Sequence, residues 1–521
     1  MAGGVLTGVA LLGGCLPFSN SEDEDTKRPM LGFAGAEGGS GVNRSDKSDS
    51  QLRSVAAAAS GFLNTSPSKS DRPGTWNAAN VSAASLSTSP DLAAGSSAAA
   101  TAEIANTPAP IALGSFFRAL SALETGGRGS PVTILHLGDS HIAADRFSGD
   151  MRDQLQSRFG SAGRGMLMPG LYLARGVKFD QGGKWQPALS TSAAPGQYGL
   201  TGVKTSAKNR EDWLRLTATD RPFGWAEVTL QSGPGQGSAV IALDGDSKVV
   251  PGGGSTQSWK SVRLERPGRE ILIKPKGDGP VTVHAITIGH EKPGVRYINL
   301  GLPGATALTP LSWHAGQVND DLKRIAPQLI ILGYGTKESF DDGLDLRDYE
   351  AKLNSVLSQL RQAAPQASLL VIGPPDVARL PNFINGSGRA SDACRALSPP
   401  ERANYAQRIE AGDLRLARWH PPLRLDEVRT ALRRAAAAHK AYFWDWSKLM
   451  GGTCGIHAWV QTDPPLAASD HIHLTEEGSK RSARLLFREL MAGYDVYDRA
   501  ITAADEGWKP LLKQAGAGKG R

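Results

Sequence analysis

A serine, a histidine and an aspartate lie in two distant segments of the chain whose local sequences suit nucleophilic catalysis. Ser140 belongs to the segment Gly138–His141, which reads Gly-Asp-Ser-His, and Asp470 and His473 lie three residues apart near the C-terminus. A serine hydroxyl is a weak nucleophile until a neighbouring base accepts its proton, and a histidine oriented by a carboxylate is a common base. We therefore predict a Ser140, His473, Asp470 triad for acyl transfer.

A strand, a loop and a helix are predicted around the serine. The run Val132–Leu137 is mostly apolar and rich in β-branched residues, which is typical of a buried strand, and it stops at Gly138. Ser148 suits a helix N-cap, and apolar residues at four-residue spacing follow it as far as Gly160, a helix stop. Because ligands bind beyond the carboxyl ends of strands in open α/β sheets, Ser140 is expected where a nucleophile is useful.

The same alternation of strands and helices returns after residue 295. The strand candidates are Arg296–Leu300, Leu329–Leu332, Leu369–Ile372 and Ala441–Trp444. The clearest amphipathic helix runs from Leu346 to Leu360 and is stopped by Pro365. This alternation predicts an α/β core in which a parallel sheet carries helices on both faces.

Between about residues 176 and 293 the pattern changes to short alternating runs such as Trp225–Leu230 and Val281–Ile286, separated by Gly, Pro, Asp and Ser turns. Such spacing predicts a β-sandwich inserted into the α/β domain. Four tryptophans in this part of the chain could form a platform that stacks on sugars, although packing in the core is the default explanation for each. They are Trp185, Trp213, Trp225 and Trp259.

These motifs resemble those of the SGNH, or GDSL-like, hydrolases. Gly138–Ser140 matches the first block of that family, Asn299–Ala305 is similar to the second, and Asp470–His473 matches the last. The resemblance implies an oxyanion hole in which the backbone N–H groups of Ser140 and Gly304 are donors, with Asp139 as a supporting residue. Donors aimed at the developing oxyanion each contribute about 3 kcal/mol to acyl transfer in known cases.

The third block departs from the family pattern. Family members carry Gly-x-Asn, or Gly-Thr-Asn-Glu in the most similar subgroup, whereas this chain reads Gly-Thr-Lys-Glu, with Lys337 in the place of the oxyanion-hole asparagine. An ammonium group can donate to an oxyanion, but its flexible stem positions it less well than a carboxamide. The alternative is that Lys337 pairs with Glu338 or Asp341 and leaves the hole weakened.

Within the superfamily, the arrangement is most similar to bacterial peptidoglycan O-acetylesterases, which carry a carbohydrate-binding-like β-sandwich between the first and second blocks. The resemblance implies a flavodoxin-like three-layer parallel sheet with an inserted all-β sandwich. We expect the hydrolase domain at residues 109–170 and 294–494 and the sandwich at residues 171–293. A polar tail is expected at residues 495–521.

The resemblance implies an esterase that removes O-acetyl groups from peptidoglycan or another envelope polysaccharide through an acetyl-Ser140 intermediate. One alternative is a polysaccharide O-acetyltransferase of the same fold, in which a sugar hydroxyl instead of water accepts the acetyl group. The other alternative is a glycan-binding protein with a weakened active site, which the lysine at position 337 motivates.

The histidine next to Asp470 offers two further alternatives. His471 could be the base, but the family pattern selects His473. Asp470, His471 and His473 could also bind a metal ion, yet no second ligand cluster is visible in the sequence to complete a site. We therefore expect no metal and no cofactor.

Composition limits the classes of protein and partner. The apolar share of 40% and the charged share of 21% exclude a membrane bundle and a wholly disordered chain. The net charge of +7 is modest for 521 residues, and no zinc-finger or RNA-binding signature is present, so a nucleic acid is not expected as partner. An acetylated glycan is the partner that the family resemblance implies.

The N-terminal part and the cysteines bear on location. Residues 1–15 end in Leu-Gly-Gly-Cys and resemble a lipoprotein signal in which Cys15 would be lipidated, although Met1–Gly4 carries no Lys or Arg, so a chance match is the alternative. Residues 16–108 are rich in Ser and Ala and are expected to form a disordered linker. Cys394 and Cys454 are then available for one disulfide, and the alternative is two unpaired thiols in a cytoplasmic protein. We expect an exported protein, periplasmic or an outer-membrane lipoprotein of a Gram-negative bacterium.

Overall fold

The fold is described from a computed structural model of the chain, which covers residues 107–170, 174–191, 197–384 and 391–517. The side chains of residues 391–392 and 504–517 are not part of this description. Cys15 and nearly all of the predicted linker at residues 16–108 lie outside it.

The strands of the described residues are, in chain order, β1 (Val132–Gly138), β2 (Gly165–Leu167), β3 (Val177–Gly182), β4 (Gln186–Leu189), β5 (Val203–Ala207), β6 (Trp213–Ala218), β7 (Trp225–Ser232), β8 (Ala239–Leu243), β9 (Asp246–Val250), β10 (Ser258–Leu264), β11 (Glu270–Pro275), β12 (Val281–Gly289), β13 (Val295–Gly301), β14 (Leu329–Gly333), β15 (Ser368–Gly373), β16 (Ser391–Cys394), β17 (Arg418–Trp419) and β18 (Tyr442–Asp445).

The α-helices are α1 (Ala109–Ala112), α2 (Gly114–Glu124), α3 (Ser140–Ala143), α4 (Phe147–Phe159), α5 (Ala315–Ile325), α6 (Thr336–Ser339), α7 (Leu346–Ala363), α8 (Pro399–Ala403), α9 (Tyr405–Glu410), α10 (Leu425–Ala438), α11 (Trp446–Leu449), α12 (Gly455–Val460) and α13 (Glu476–Ala517). Short 3₁₀ helices cover Thr309–Ser312, Asn382–Ile384 and Leu414–Leu416. Among the described residues, none of the helices combines the length and the apolar composition that crossing a bilayer requires.

The first predicted strand and the four strand candidates after residue 295 form a five-stranded parallel sheet of order β13-β1-β14-β15-β18. Numbered along the chain, this order is 2-1-3-4-5, the flavodoxin-like arrangement. All five predicted strands are present, each within one or two residues of the expected bounds. The predicted fold class is therefore confirmed.

Helices cover both faces of this sheet, which is why its strands are nearly continuous apolar runs. Along β1, Ile134 packs into the core beneath α2, α4 and α13, whereas Leu135 points into the core beneath α5, α7 and α10. Helix α7 buries the apolar stripe that the sequence predicts, begins at the N-cap Asp345 and ends two residues before Pro365. The central strands are thus fixed from both sides, and the loops at their carboxyl ends start from a rigid base.

Two antiparallel sheets form the inserted sandwich. One has the order β10-β7-β12-β5-β4 with β2 paired to β12, and the other has the order β3-β6-β11-β8-β9. Apolar residues that alternate along these strands fill the space between the sheets, as in a typical sandwich. The expected domain boundaries stay predictions; β2 at Gly165–Leu167 already pairs with the sandwich, and α13 continues through most of the expected polar tail to Ala517.

The four tryptophans of the sandwich do not form one stacking platform. Trp185 is 4% exposed and belongs to the core between the sheets, and Trp225 is 5% exposed with the guanidinium of Arg263 over its ring. Trp213 and Trp259 lie on different sheets. Core packing or a cation–π contact therefore accounts for Trp185, Trp213 and Trp225 better than sugar stacking.

The predicted N-cap at Ser148 is wrong. Helix α4 begins one residue earlier, at Phe147, and its N-cap Arg146 makes no side-chain capping bond. Ser148 is fully buried inside the first turn, where its hydroxyl donates to Asp145 Oδ1 at 3.0 Å. A tertiary hydrogen bond has replaced the capping bond that the residue type suggests. The predicted stop at Gly160 is confirmed by its positive φ of 83°.

Candidate active site

A tight turn between β1 and α3 presents Ser140 at the carboxyl edge of the parallel sheet. The side chain of Asp139 caps α3 by accepting the N–H of His141 at 2.9 Å, so that Ser140 becomes the first helical residue. Gly138 must lack a side chain because a Cβ there would lie 2.3 Å from Ile142 Cγ1 and 3.0 Å from the Gly333 carbonyl oxygen. The small residue thus allows the nucleophile turn to fold back against the sheet.

The structure brings the three predicted triad residues together. Ser140 Oγ lies 3.1 Å from His473 Nε2, although the two residues are 333 positions apart in the chain. His473 Nδ1 lies 2.7 Å from Asp470 Oδ2. This is the geometry in which an imidazole accepts a proton from a hydroxyl while a carboxylate orients its other nitrogen.

Asp470 is held as a carboxylate by the loop that carries it. Partial burial raises its pKa, but the side chain and N–H of His473 and the N–H of Ile472 outweigh that effect and hold the pKa at about 2. The two N–H groups lie 2.9 Å from Asp470 Oδ1, which leaves Oδ2 for the imidazole. The side chains of Asp470 and His473 are 44% and 48% exposed, so the pair lies at the surface where a polymer can reach it.

His141 connects the turn that carries Ser140 to the loop that carries His473. Its Nδ1 lies 3.2 Å from Asp139 Oδ1 and its Nε2 lies 3.0 Å from the Ile472 carbonyl oxygen. Both neighbours are acceptors, so only the doubly protonated ring can donate to both. Burial lowers the pKa of His141, but Asp139 and the Ile472 carbonyl raise it to a net value above the ordinary one. His141 thus links the turn that carries Ser140 to the loop that carries His473.

A buried ionic cluster around Asp145 supports the same turn, and sequence reasoning missed it. Asp145 is 1% exposed and accepts hydrogen bonds from Arg152, Arg164 and Asn299. These bonds and charges hold its pKa well below the usual range despite its burial. Asn299 also donates to the Ile142 carbonyl at 3.0 Å, which ties the second sequence block to the nucleophile helix. An acidic residue seven positions before an arginine was a visible but weak signal for this cluster.

Lys337 reaches the loop of the proposed oxyanion glycine. Its Nζ donates to the Gly304 carbonyl oxygen at 2.9 Å, and the residue is exposed. Gly304 has a φ of +74°, a left-handed conformation that residues with a Cβ rarely adopt. The alternative partners are not used, since Lys337 forms no ion pair with Glu338 or Asp341 in the described structure. Its role in an oxyanion hole stays a prediction.

Glu338 is a buried carboxyl group that braces the loop after Gly304. It is 4% exposed, and its Oε1 accepts the Ala307 N–H at 2.8 Å and the Tyr349 hydroxyl at 3.3 Å. Burial raises the pKa of Glu338 from 4.5 to about 7. The second and third sequence blocks are therefore joined through a carboxyl group that is neutral in mildly acidic solution.

Replacing Glu338 with glutamine is expected to flatten the dependence of stability on pH. Because the folded-state pKa is raised, the stability that this group contributes is fully present below about pH 4.5 and is lost as the pH rises through 7. The loss amounts to about 3 kcal/mol, since one pKa unit corresponds to about 1.4 kcal/mol. Thermal unfolding midpoints at about pH 5 and pH 8 should differ less in Glu338→Gln than in the wild type.

The matched control is Glu410→Gln, because Glu410 is exposed on α9. It should keep the wild-type pH dependence. An unchanged pH dependence in Glu338→Gln would contradict the assignment of the shift to this carboxyl group.

The ring nitrogens of His471 contact groups other than Ser140. Its Nδ1 lies 3.0 Å from the Ser469 carbonyl oxygen, and its Nε2 lies 2.9 Å from His457 Nδ1. Both ring nitrogens are therefore directed at groups other than Ser140. In the described part of the chain, no group of three or more His, Cys, Asp or Glu side chains is arranged to hold a metal ion.

Cys394 and Cys454 form a disulfide with a Cα–Cα distance of 5.8 Å. It connects β16 to the residue before α12 and closes a loop with a sequence separation of 60. β17, which pairs with β16, and α12 supply the aromatic neighbours of His471, so the disulfide joins chain segments beside the loop that carries Asp470 and His473.

Residues 285–481 match the family model of the GDSL-like lipases and acylhydrolases. The matched segment contains Gly304, Lys337, Asp470 and His473, while Ser140 precedes it. No curated protein matches the chain significantly.

Solved structures give a longer match. A peptidoglycan O-acetylesterase structure is similar to 73% of this chain and 96% of its own, at 25% identity and a TM-score of 0.57. A family two carbohydrate esterase from Cellvibrio japonicus matches 60% of this chain and 98% of its own, at 12% identity and a TM-score of 0.23. One from Clostridium thermocellum, in complex with cellohexaose, matches 63% and 100%, at 12% identity and a TM-score of 0.26. Of these three structures, the peptidoglycan O-acetylesterase covers the largest share of this chain.

Proposed function

We propose that this carboxylic ester hydrolase removes O-acetyl groups from peptidoglycan or another envelope polysaccharide. It contains a GDSL-like acylhydrolase domain. The observation that carries the proposal is the hydrogen-bonded chain from Ser140 Oγ through His473 to Asp470. The similarity to a peptidoglycan O-acetylesterase supports the choice of substrate.

In the proposed mechanism, Ser140 Oγ attacks the acetyl carbonyl carbon while His473 Nε2 accepts the hydroxyl proton. Asp470 stabilises the imidazolium that forms. The tetrahedral intermediate collapses when His473 gives that proton to the sugar oxygen, which leaves as the alcohol and an acetyl-Ser140 ester remains. Water then attacks this ester with His473 as base, and acetate leaves the regenerated enzyme.

The exposure of Ser140 and His473 is suited to an ester group that a polymer carries. Ser140 and His473 are both accessible to solvent, so an acetyl group that projects from a glycan chain can reach them without the chain entering a closed cavity.

The direct test is release of acetate from O-acetylated peptidoglycan by the purified chain. The control substrate is the same peptidoglycan after base treatment, which removes the esters and leaves the glycan intact. We expect free acetate from the first substrate alone. Glycan binding without acetate release would instead favour a binding protein with a weakened active site.

An O-acetyltransferase of the same fold is the second candidate, since the acetyl-Ser140 intermediate is common to both reactions. An acetyl donor supplied with an oligosaccharide acceptor distinguishes them. The esterase yields acetate at a rate that the acceptor does not change, whereas the transferase yields acetylated sugar.

We also propose that Lys337 donates to the oxyanion, and its bond to Gly304 supports this role by holding the amino group at the site. Lys337→Ala is expected to lower kcat by about 10²-fold, the usual loss for one oxyanion donor, with little change in KM. Lys337→Asn should retain most activity because a carboxamide is the oxyanion donor that the similar family carries at this place in the sequence. Both are measured with p-nitrophenyl acetate.

Lys352 provides the matched control for Lys337. It is an exposed lysine on α7 that pairs with Asp348, and Lys352→Ala should keep wild-type kcat. Wild-type kcat in Lys337→Ala would limit Lys337 to its contact with the Gly304 loop.

Export from the cytosol is proposed as well. The Cys394–Cys454 disulfide supports it, because such bonds persist in oxidising compartments. Attachment through a lipidated Cys15, in the periplasm or outer membrane of a Gram-negative bacterium, remains part of this proposal.

A further inference from the structure

The loop that carries Asp470 and His473 turns at a residue with unusual backbone geometry. His471 has a φ of +56°, which places a non-glycine residue in the left-handed region. Such a conformation costs free energy and persists where the surrounding structure holds it. The residues that hold His471 therefore influence the shape of the loop on which the proposed base lies.

Two aromatic side chains hold the ring of His471. Trp419 stacks on it with ring centroids 3.5 Å apart and an interplanar angle of 18°. His457 contacts its edge, with 2.9 Å between His457 Nδ1 and His471 Nε2. The ring is 5% exposed, so it fills a closed slot between these neighbours.

The backbone of His471 is bound to the body of the domain. Its carbonyl oxygen accepts the Ala378 N–H at 2.9 Å, and its N–H donates to the Ala468 carbonyl oxygen at 3.1 Å. Asp470 immediately precedes His471, and His473 follows two residues later. A change in the orientation of this short segment would therefore move both proposed catalytic side chains.

The Cys394–Cys454 disulfide joins two residues that neighbour Trp419 and His457, the residues that hold the ring. Trp419 lies on β17 directly opposite Cys394 on β16, and the Arg395 N–H donates to the Trp419 carbonyl oxygen at 3.1 Å. His457 lies on α12, and its N–H donates to the Cys454 carbonyl oxygen at 3.1 Å. One covalent bond thus connects both sides of the slot.

We propose that His471 is a positioning residue for the esterase reaction, held between Trp419 and His457 by the Cys394–Cys454 disulfide. This arrangement, called the His471 clamp, fixes the loop so that His473 stays in reach of Ser140. The inference rests on the proposed function for its kinetic consequence. The clamp acts through the loop and contacts none of the reacting atoms.

The test compares Trp419→Ala with Trp419→Phe. Loss of the stacked ring should lower kcat for p-nitrophenyl acetate by about tenfold or more, since small misplacements of catalytic groups have large kinetic effects. KM should change little because the clamp does not bind substrate. Trp419→Phe retains an aromatic face and should recover most of kcat. His439→Ala, a histidine at the end of α10 that bonds to Asn354, is the control and should keep wild-type kcat.

A disulfide variant tests the second part of the clamp. Cys394→Ser/Cys454→Ser should lower kcat in the same direction. Adding Trp419→Ala to it should cost less than Trp419→Ala costs in the wild type, because both changes loosen one structure.

Hydrogen exchange gives a measurement that does not depend on activity. The Ala378 and Ala468 amides, which bond to the carbonyl oxygens of His471 and His473, should exchange faster in Trp419→Ala. Unchanged exchange at these amides, or wild-type kcat in Trp419→Ala, overturns the clamp. A wild-type protein without esterase turnover overturns the proposed function instead, and the exchange experiment still decides the clamp.

Discussion

Ser140→Ala is expected to lower kcat/KM for acetyl-ester hydrolysis by about 10⁴-fold or more, the scale seen when a catalytic serine is removed from a triad. The physical reason is the loss of the covalent route. The hydroxyl that lies 3.1 Å from His473 Nε2 is the atom that would form the acetyl ester, and no side-chain oxygen replaces it in alanine. Initial rates on p-nitrophenyl acetate and on O-acetylated peptidoglycan measure the effect.

The folded state should tolerate this change, because Ser140 is partly exposed and its turn is held by Gly138, Asp139 and His141. The thermal unfolding midpoint of Ser140→Ala is therefore expected to stay close to that of the wild type. Ser355→Ala, an exposed serine on α7, is the matched control and should retain full activity. Comparable rates in wild type and Ser140→Ala would mean that this serine is not the nucleophile.

Asp470→Asn is expected to lower kcat by about 10³-fold to 10⁴-fold, as the equivalent change does in serine proteases. Asp470 Oδ2 lies 2.7 Å from His473 Nδ1, and a carboxylate there holds the ring with Nε2 free to accept a proton. An amide nitrogen at the same position donates to the ring and favours the wrong tautomer. Because the pKa of Asp470 is held at about 2, protonation of this carboxyl group does not limit activity at ordinary assay pH.

Two comparisons make the Asp470 experiment specific. Asp348→Asn changes an exposed aspartate on α7 that pairs with Lys352, and it should leave kcat unchanged. The loss in Asp470→Asn should appear in kcat with KM nearly constant, since the carboxylate does not contact substrate in the proposed mechanism. A kcat within a few-fold of the wild type would instead mean that Asp470 does not orient the base.

Local patterns predicted the elements well. β1 and β14 appear where apolar β-branched runs occur, and α7 buries its predicted stripe. Such patterns are decided by steric preferences and by which face of an element is apolar, and both are properties of a few neighbouring residues. The prediction at Ser148 was wrong because its hydroxyl donates to the buried Asp145, a tertiary contact, instead of capping the helix as its residue type suggests.

The partners of charged and aromatic residues were harder to predict. Lys337 was expected either at the oxyanion or paired with a neighbouring acid, and it binds the Gly304 carbonyl 33 residues away. The His471 stack on Trp419 and the ionic cluster at Asp145 also join residues from different elements. No periodicity encodes such contacts, because they depend on how the elements pack.

The sequence by itself determined the order of the candidate catalytic motifs along the chain. The Gly-Asp-Ser turn follows the first strand, a glycine block comes next, and an Asp-x-x-His loop precedes the last helix. Only the tertiary structure decided that Ser140 and His473 meet, that His141 links their two loops and that Trp419 stacks on His471. The physical reason is the distance along the chain over which local preferences act. Backbone and side-chain preferences act over a few residues, whereas a site made from segments 333 positions apart exists only once a sheet and its covering helices have packed.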